Sequence, residues 1–542
     1  MSIQLPDELL LQIFELLPRY HMPYRGGYEH VYRNIALSCR RFYSLIRPFA
    51  WRTITLYGMK TLRQQALAIC RRLKDDPGLA SAVRSLTLIS WDLGPDAIYL
   101  ARAGQLMPAA YLQQEIAADI SRESSRTVVY DAVAAMCKLE KLHAERCAFI
   151  SPFEQILGDK SALTELSFSG CSFHTNSTGH IKSKLSNLSI NGGSEDQSYI
   201  TLCLELAESP SLRSLELVKT FGSAGTILLP GLSKLHFPSL ESFTLNGVTP
   251  VDVPHICTLF TANPHIKSLA LFMDKGDSAF IPSLNPFSQP WRQLETGRPT
   301  QLTQFTGPAG LAQIFIPGCP VVEVTILDAF QAFDARLDAR GLAERLRNTL
   351  MRSTKLVKKL TLNNAIRLLS DPHVRDILPP AVEELHVIAQ SVAMKGGLNT
   401  STTPPFDTDA ASKLVKDASS LLQLHTLILA INWSESEQIG NLQHQRERVL
   451  HMSHACPSVN TIQLAPLVRW RRAAGVDRDG LPDWRPEVDK DTILKLTQYS
   501  GKRKPMLLGY ETVDWKGCIE RYMRTEGYGR EFEEWRRDIV EP

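Results

Sequence analysis

Leu139-Glu140-Lys141-Leu142-His143-Ala144-Glu145-Arg146-Cys147-Ala148-Phe149 is followed, 24 residues on, by Leu163-Thr164-Glu165-Leu166-Ser167-Phe168-Ser169-Gly170-Cys171-Ser172-Phe173. In each stretch the apolar side chains stand three and then two residues apart, the alternation of a short strand buried on one face. Cys and Phe then recur at equal offsets, as expected where a strand ends and a compact apolar side chain turns inward. Outward from this pair the Leu-x-x-Leu-x-Leu pattern returns at Val83, Leu185, Leu212, Leu240 and Ile266, then at Val321, Val357, Val382, Leu424 and Val459. From Leu139 to Ile266 the starts lie 24, 22, 27, 28 and 26 residues apart. A repeated supersecondary unit is therefore predicted over most of the chain.

The period and the Cys positions make this segment resemble the leucine-rich repeats, especially the irregular, fungal-type repeats that are joined to F-boxes. The resemblance implies a curved solenoid with a parallel concave sheet, the residues between the leucines pointing out along the concave side. That surface is polar and mixed in sign, without the single-sign stripe that nucleic acid requires. Its charged members, Lys141, His143, Glu165, Glu216, Lys359, Glu384 and His386, are the candidate contacts to a protein substrate. After Ile266 the starts spread to 55, 36, 25, 42 and 35 residues, so insertions are predicted near 272–320 and 394–409, both rich in loop-forming Gly, Pro, Ser or Thr. Leu302-x-x-Phe305 reads as a degraded unit inside the first, and Ala332–Met351 as a helix.

The amino-terminal stretch has a different pattern. Pro6 suits a first helical position, Asp7 and Glu8 complement the helix dipole, and Leu9, Ile13 and Leu16 form one apolar stripe beside a second of Leu10, Phe14 and Leu17. Ile35 to Phe42 and Pro48 to Trp51 read as two further helices. Three short helices make a small core for so many large apolar side chains, which leaves surface for a partner. Leu5, Pro6, Glu8, Leu9, Ile13, Phe14, Leu17, Pro18, then Leu37, Cys39, Arg40, Arg41, Phe42 and Trp51, resemble an F-box. Arg19 to His30 forms a longer connection than that family usually has. The resemblance implies docking on the Skp adaptor, and through it on a cullin, with Leu5, Pro6, Glu8, Leu9, Ile13, Leu17, Leu37, Cys39, Phe42 and Trp51 as the adaptor contacts.

With 542 residues the chain exceeds what one core usually supports, and its 44% apolar content predicts globular order. Sixty basic and 57 acidic residues leave a net charge of +3, which implies no nucleic-acid partner. Ten cysteines without a Cys-x-x-Cys pair read as reduced thiols rather than zinc ligands. No apolar run is long enough to span a bilayer and no leader pattern precedes the helices, so a cytoplasmic or nuclear protein without membrane contact is expected. From about Pro466 tryptophans interleave with arginines and carboxylates (Arg469-Trp470-Arg471-Arg472, Trp484-Arg485), read as a cap on the last repeat, with substrate docking as the alternative.

No phosphate-binding loop, nucleophile elbow or zinc motif is present, so no catalytic residue, metal or cofactor is expected. The predicted organisation is thus α/β: an F-box over 1–57, an irregular leucine-rich-repeat solenoid over 58–465 and a C-terminal cap over 466–542. The function expected is that of a non-catalytic substrate receptor of a cullin-RING ubiquitin ligase. The alternative is a non-degradative scaffold built on the same two modules.

Overall fold

In a computed structural model the apolar alternation of the repeats becomes a ladder of short strands joined by returning segments. The structure describes residues 5–16, 35, 38–91, 124–150, 152–174, 184–192, 197–219, 225–273, 300–327, 339–363, 379, 381–388, 423–430, 442–465, 468–476 and 480–488. The chain forms two compact units, Met1–Ile266 and Lys267–Pro542. The first ends within the repeat begun by Ile266, where the regular period also ends.

The first unit opens with helices α1 (Asp7–Leu16) and α2 (Arg40–Ala50). Then come strands β1 (Thr53–Tyr57), β2 (Ser85–Ile89), β3 (Lys141–Glu145), β4 (Ala148–Ile150), β5 (Glu165–Ser169), β6 (Ser172–His174), β7 (Asn187–Asn191), β8 (Ser214–Val218) and β9 (Ser242–Val248). β1, β2, β3, β5, β7, β8 and β9 pair in that order, all parallel. β4 and β6 form a separate parallel pair.

Register does not drift from one repeat to the next, because two consecutive amides at each strand entry converge on one carbonyl of the preceding repeat. Glu140 and Lys141 donate to the Arg84 carbonyl at 2.8 and 2.9 Å, and Thr164 and Glu165 to that of Glu140 at 2.9 and 3.0 Å. In every repeat the pattern leucines are buried, as Leu86, Leu88, Leu142, Leu166, Leu188, Leu215 and Leu217 show. Parallel strands need a crossover between them, and the returning segments supply it, for example the helix Gln197–Ala207 with Tyr199, Leu202, Cys203 and Leu206 turned inward.

The Cys-x-Phe offsets have a direct counterpart. Cys147 and Cys171 are buried; the Cys147 thiol reaches the Leu88 carbonyl at 3.5 Å and that of Cys171 reaches the Ala144 carbonyl at 3.3 Å. Beyond them Phe149 and Phe173 stack at 4.9 Å, each between neighbouring repeats. Burial pushes the Cys70 and Cys257 thiols up to about 12, which keeps them protonated near neutral pH.

The second unit holds β10 (Ser268–Met273), β11 (Gln304–Pro308), β12 (Glu323–Leu327), β13 (Lys359–Asn363), β14 (Glu384–Ile388), β15 (Thr426–Ala430) and β16 (Thr461–Ala465), parallel in sequence order. β17 (Val468–Val476) and β18 (Pro482–Val488) then add antiparallel, and Trp470 and Trp484 lie fully buried beneath them. Trp470 donates its indole N–H to Gln445 of the helix Leu442–Ala455 at 3.2 Å.

Several expectations need correction. Arg40 to Phe42 and Pro48 to Ala50 share one helix, since Pro48 stands in its last turn and little of the helix ladder is lost there. A strand before the first recognised repeat, β1, was missed: Ile54 and Leu56 are its inward positions as in the other strands, but the leading apolar position is Trp51, which the sequence also assigns to the preceding helices. Residues 300–320 are not an insertion. Leu302 and Phe305 are buried in a full repeat, and the Gly- and Pro-containing stretch that follows forms the helix Ala309–Phe315, with Pro308 at its N-cap where a missing N–H costs nothing. The helix expected over Ala332–Met351 is present as Ala339–Met351 among the described residues, and residues 332–338 lie outside them. The insertion expected near 394–409 lies outside the described residues.

Candidate docking surfaces

α1 positions the first surface. Leu5, Leu9 and Ile13 stand four residues apart on one face and are 44%, 45% and 45% exposed. Leu10 and Phe14 on the adjoining stripe are buried against Ile46, with Phe42, Leu45 and Phe49 packed around them. Phe14 meets Phe42 edge-on at 5.9 Å. Thus α1 has one apolar stripe that closes its own core and another that faces solvent.

The start of α1 is pinned by Arg41, which donates to Asp7 Oδ1 through Nε at 2.8 Å and to the Leu5 carbonyl through Nη2 at 2.5 Å. Cys39 is exposed, but its Sγ accepts from the Phe42 N–H at 3.4 Å and so caps α2. Pro6 and Glu8 are exposed and Phe42 is half-buried. Tyr43, 47% exposed on α2, is a further large side chain that the reading of the sequence did not single out.

Trp51, expected among the adaptor contacts, is only 6% exposed: it closes α2, and the Arg72 guanidinium lies 5.3 Å from its ring centroid. In this structure it joins the helices to the first repeat rather than belonging to the exposed row. Leu17 and Leu37 lie outside the described residues.

The second surface is the open face of the strands in the first unit. Register puts Ser85, Lys141, Glu165, Asn187, Ser214 and Ser242 in one row, and Thr87, His143, Ser167, Ser189, Glu216 and Thr244 in the next. Lys141 pairs with Glu165 at 2.7 Å, and Ser189 donates to Glu216 at 2.9 Å. His143 shares the row of Glu216, with two serines between them. Of the charges expected to meet a substrate here, Lys141 and Glu165 already answer one another.

In the second unit the rows are Ser268, Gln304, Glu323, Lys359, Glu384, Thr426, Thr461 and Arg471, and Ala270, Thr306, Thr325, Thr361, His386, Ile428, Gln463 and Arg469. Lys359, Glu384 and His386 do come together. Lys359 Nζ lies 2.7 Å from Glu323 and 3.7 Å from Glu384, and Gln304 donates to Glu323 at 2.7 Å. The hydrogen bond to Glu323 holds the Lys359 amine above its ordinary range. Burial, then the Lys359 charge, pushes the His386 imidazole below its usual range, against the pull of Glu384. Glu323 was not among the expected contacts, although the spacing of Val321-x-x-Val324 marks it as outward-facing.

Residues 3–57 match the F-box-like family, so the amino-terminal helices form an F-box-like domain. No curated protein matches the chain. Among solved structures it is similar to an internalin from Listeria monocytogenes, at 11% identity, over 73% of this chain and 86% of that one, with a TM-score of 0.23.

Proposed function

We propose that this chain is the substrate-recognition subunit of an Skp-cullin-F-box ubiquitin ligase. The observation that carries the reading is the exposed row of Leu5, Leu9 and Ile13 on the F-box-like domain. F-box domains generally bind Skp adaptors, and an apolar ridge left over after the helices have closed their own core is the surface such a partner would cover. The open faces of the two sets of strands would hold a protein substrate, in the cytoplasm or nucleus. The subunit itself would perform no chemistry. Its contribution would be effective concentration and orientation, holding the lysines of the substrate near a ubiquitin-charged conjugating enzyme.

The test is affinity purification of the full chain beside a version lacking residues 1–50, which keeps Trp51 and β1 with the repeats, with the proteasome inhibited, followed by reconstituted ubiquitin transfer to the proteins retained. The reading predicts that the truncated chain loses the adaptor and cullin but keeps substrates, and that only the full chain yields conjugates. Retention of the adaptor by the truncated chain would contradict it. Binding of both adaptor and partner without conjugates would identify a scaffold instead.

A further inference from the structure

The turn that carries the helix Ala339–Met351 to β13 departs from the other repeats at one position. The residue before the first buried pattern position is Ala, Ser, Lys, Gln, His or Pro at every other start, from Ala82 to Ser458, but Leu356 here. Leu356 is 64% exposed, and Met351, which closes the helix, is 51% exposed. The segment that presents them is held in place. The Ser353 hydroxyl lies 2.8 and 2.9 Å from the Cys319 and Val321 carbonyls, the Thr354 amide donates to the Cys319 carbonyl at 2.9 Å, and the Gly318 amide donates to the Arg352 carbonyl at 2.9 Å. The preceding repeat has therefore already ordered the turn, so a partner that covers the two apolar side chains meets little further cost in ordering its backbone.

Cations accompany the pair. Arg347 stands one turn before Met351 on the same face of the helix, and Arg352 and Lys355 lie between Met351 and Leu356 in the chain. All three are exposed, and none forms an ion pair among the described residues. The carboxylate of this helix, Glu344, lies a turn further toward the helix start. The next charges along the chain are already answered, Lys358 by Glu383 at 2.8 Å and Lys359 by Glu323 at 2.7 Å. Two exposed apolar side chains and three exposed, unpaired cations thus fall within ten residues of one fixed helix end and turn.

We propose that this edge of the second unit is a docking site for an acidic amphipathic segment of a partner protein. Its apolar side chains cover Met351 and Leu356, and its carboxylates face Arg347, Arg352 and Lys355. Charge complementarity selects an acidic partner, and the apolar pair selects one that also carries leucine-like side chains. The surface belongs to the second unit alone and is neither the ridge on α1 nor an open strand face, so the inference goes beyond the receptor reading and does not depend on it.

The experiment uses the purified full chain and a fluorescein-labelled dodecapeptide of four Glu-Glu-Leu units, read by fluorescence anisotropy beside Gln-Gln-Leu and Glu-Glu-Ala versions. The Glu-Glu-Leu peptide should bind saturably, and each of the others about fivefold or more weakly. Leu356→Ser should weaken the first peptide about tenfold, and Arg347→Gln combined with Lys355→Gln about fivefold, while Arg71→Gln, at an exposed cation of the first unit, leaves it unchanged. Every substituted residue is exposed, and circular dichroism melting checks that each variant folds. No saturable binding of the Glu-Glu-Leu peptide, or binding by the Leu356 and Arg347/Lys355 variants equal to wild type, would overturn the proposal. Cosedimentation with phosphatidylserine vesicles, or a dimer of the chain in analytical ultracentrifugation, that Leu356→Ser abolishes would equally overturn it, by giving the patch to a membrane or to a second copy. No adaptor enters the measurement, so failure here is distinguishable from failure of the receptor reading.

Discussion

Arg146 follows its strand with φ of 53°, in the left-handed region where Ser90 (56°), Gly170 (59°) and Gly192 (64°) occupy the corresponding place in other repeats. The conformation lets each amide reach the next repeat: Arg146 donates to the Ser169 carbonyl at 2.6 Å and Gly170 to that of Asn191 at 2.7 Å. An L side chain is strained there, so Arg146→Gly should stabilise the first unit by about 1 kcal/mol, and Gly170→Ala should destabilise it by a similar amount, in urea unfolding. An unchanged midpoint in both would show that the turn is not under strain. This constraint is visible in the sequence only when the two opening stretches are aligned and Gly170 falls opposite Arg146.

Another residue-scale feature leaves no trace in the pattern. Lys219 and Asp252, 33 positions apart, form a buried pair at 2.6 Å, and Asp252 also accepts from the Thr249 amide at 2.7 Å. Asp252→Ala would leave a buried ammonium ion unanswered and should cost about 3–5 kcal/mol, measured by denaturation of the first unit. On the open face of the second unit, Lys359→Met should raise the His386 pKa as followed by imidazole NMR. The substitution removes a depressing cation and frees Glu384 to act, so both changes have the same sign. A fall in that pKa would contradict the ladder described above.

Among the elements, α1 was the most legible. Two stripes of leucines are evident from spacing alone, whereas the choice of the buried one required Ile46 and Phe42 in place. Leu10→Ala should therefore cost about 2–5 kcal/mol of stability while Leu9→Ala costs little, as thermal melting would show. The elements that eluded the reading did so for physical reasons. The leading position of β1 is Trp51, which the pattern of the preceding helices also claims, and Gly307, Pro308 and Gly310 carry loop-forming signals that the buried neighbours Leu302, Phe305 and Leu311 override. The face charges were legible as outward positions, but their pairing was not, because Lys359 finds Glu323 and Glu384 on strands 36 and 25 residues away in the chain.

On the scale of the whole molecule the repeats were legible from their period and the F-box-like domain from its motif, whereas the antiparallel pair β17 and β18 was not read as strands and the division at Ile266 was marked only by the loss of a regular period. Within the second unit Trp470 and Trp484 bury the end of the ladder, so Trp470→Ala should lower hydrogen-exchange protection of β14 to β16 and leave β2 to β9 unaffected. Whether the ridge on α1 binds the Skp adaptor is measured most directly by calorimetric titration of the purified chain with that adaptor. Leu9→Glu combined with Ile13→Glu should weaken adaptor binding about 100-fold or more, the loss of two apolar anchors, with the melting temperature unchanged. Adaptor affinity equal to that of wild type in this folded double variant would contradict the account.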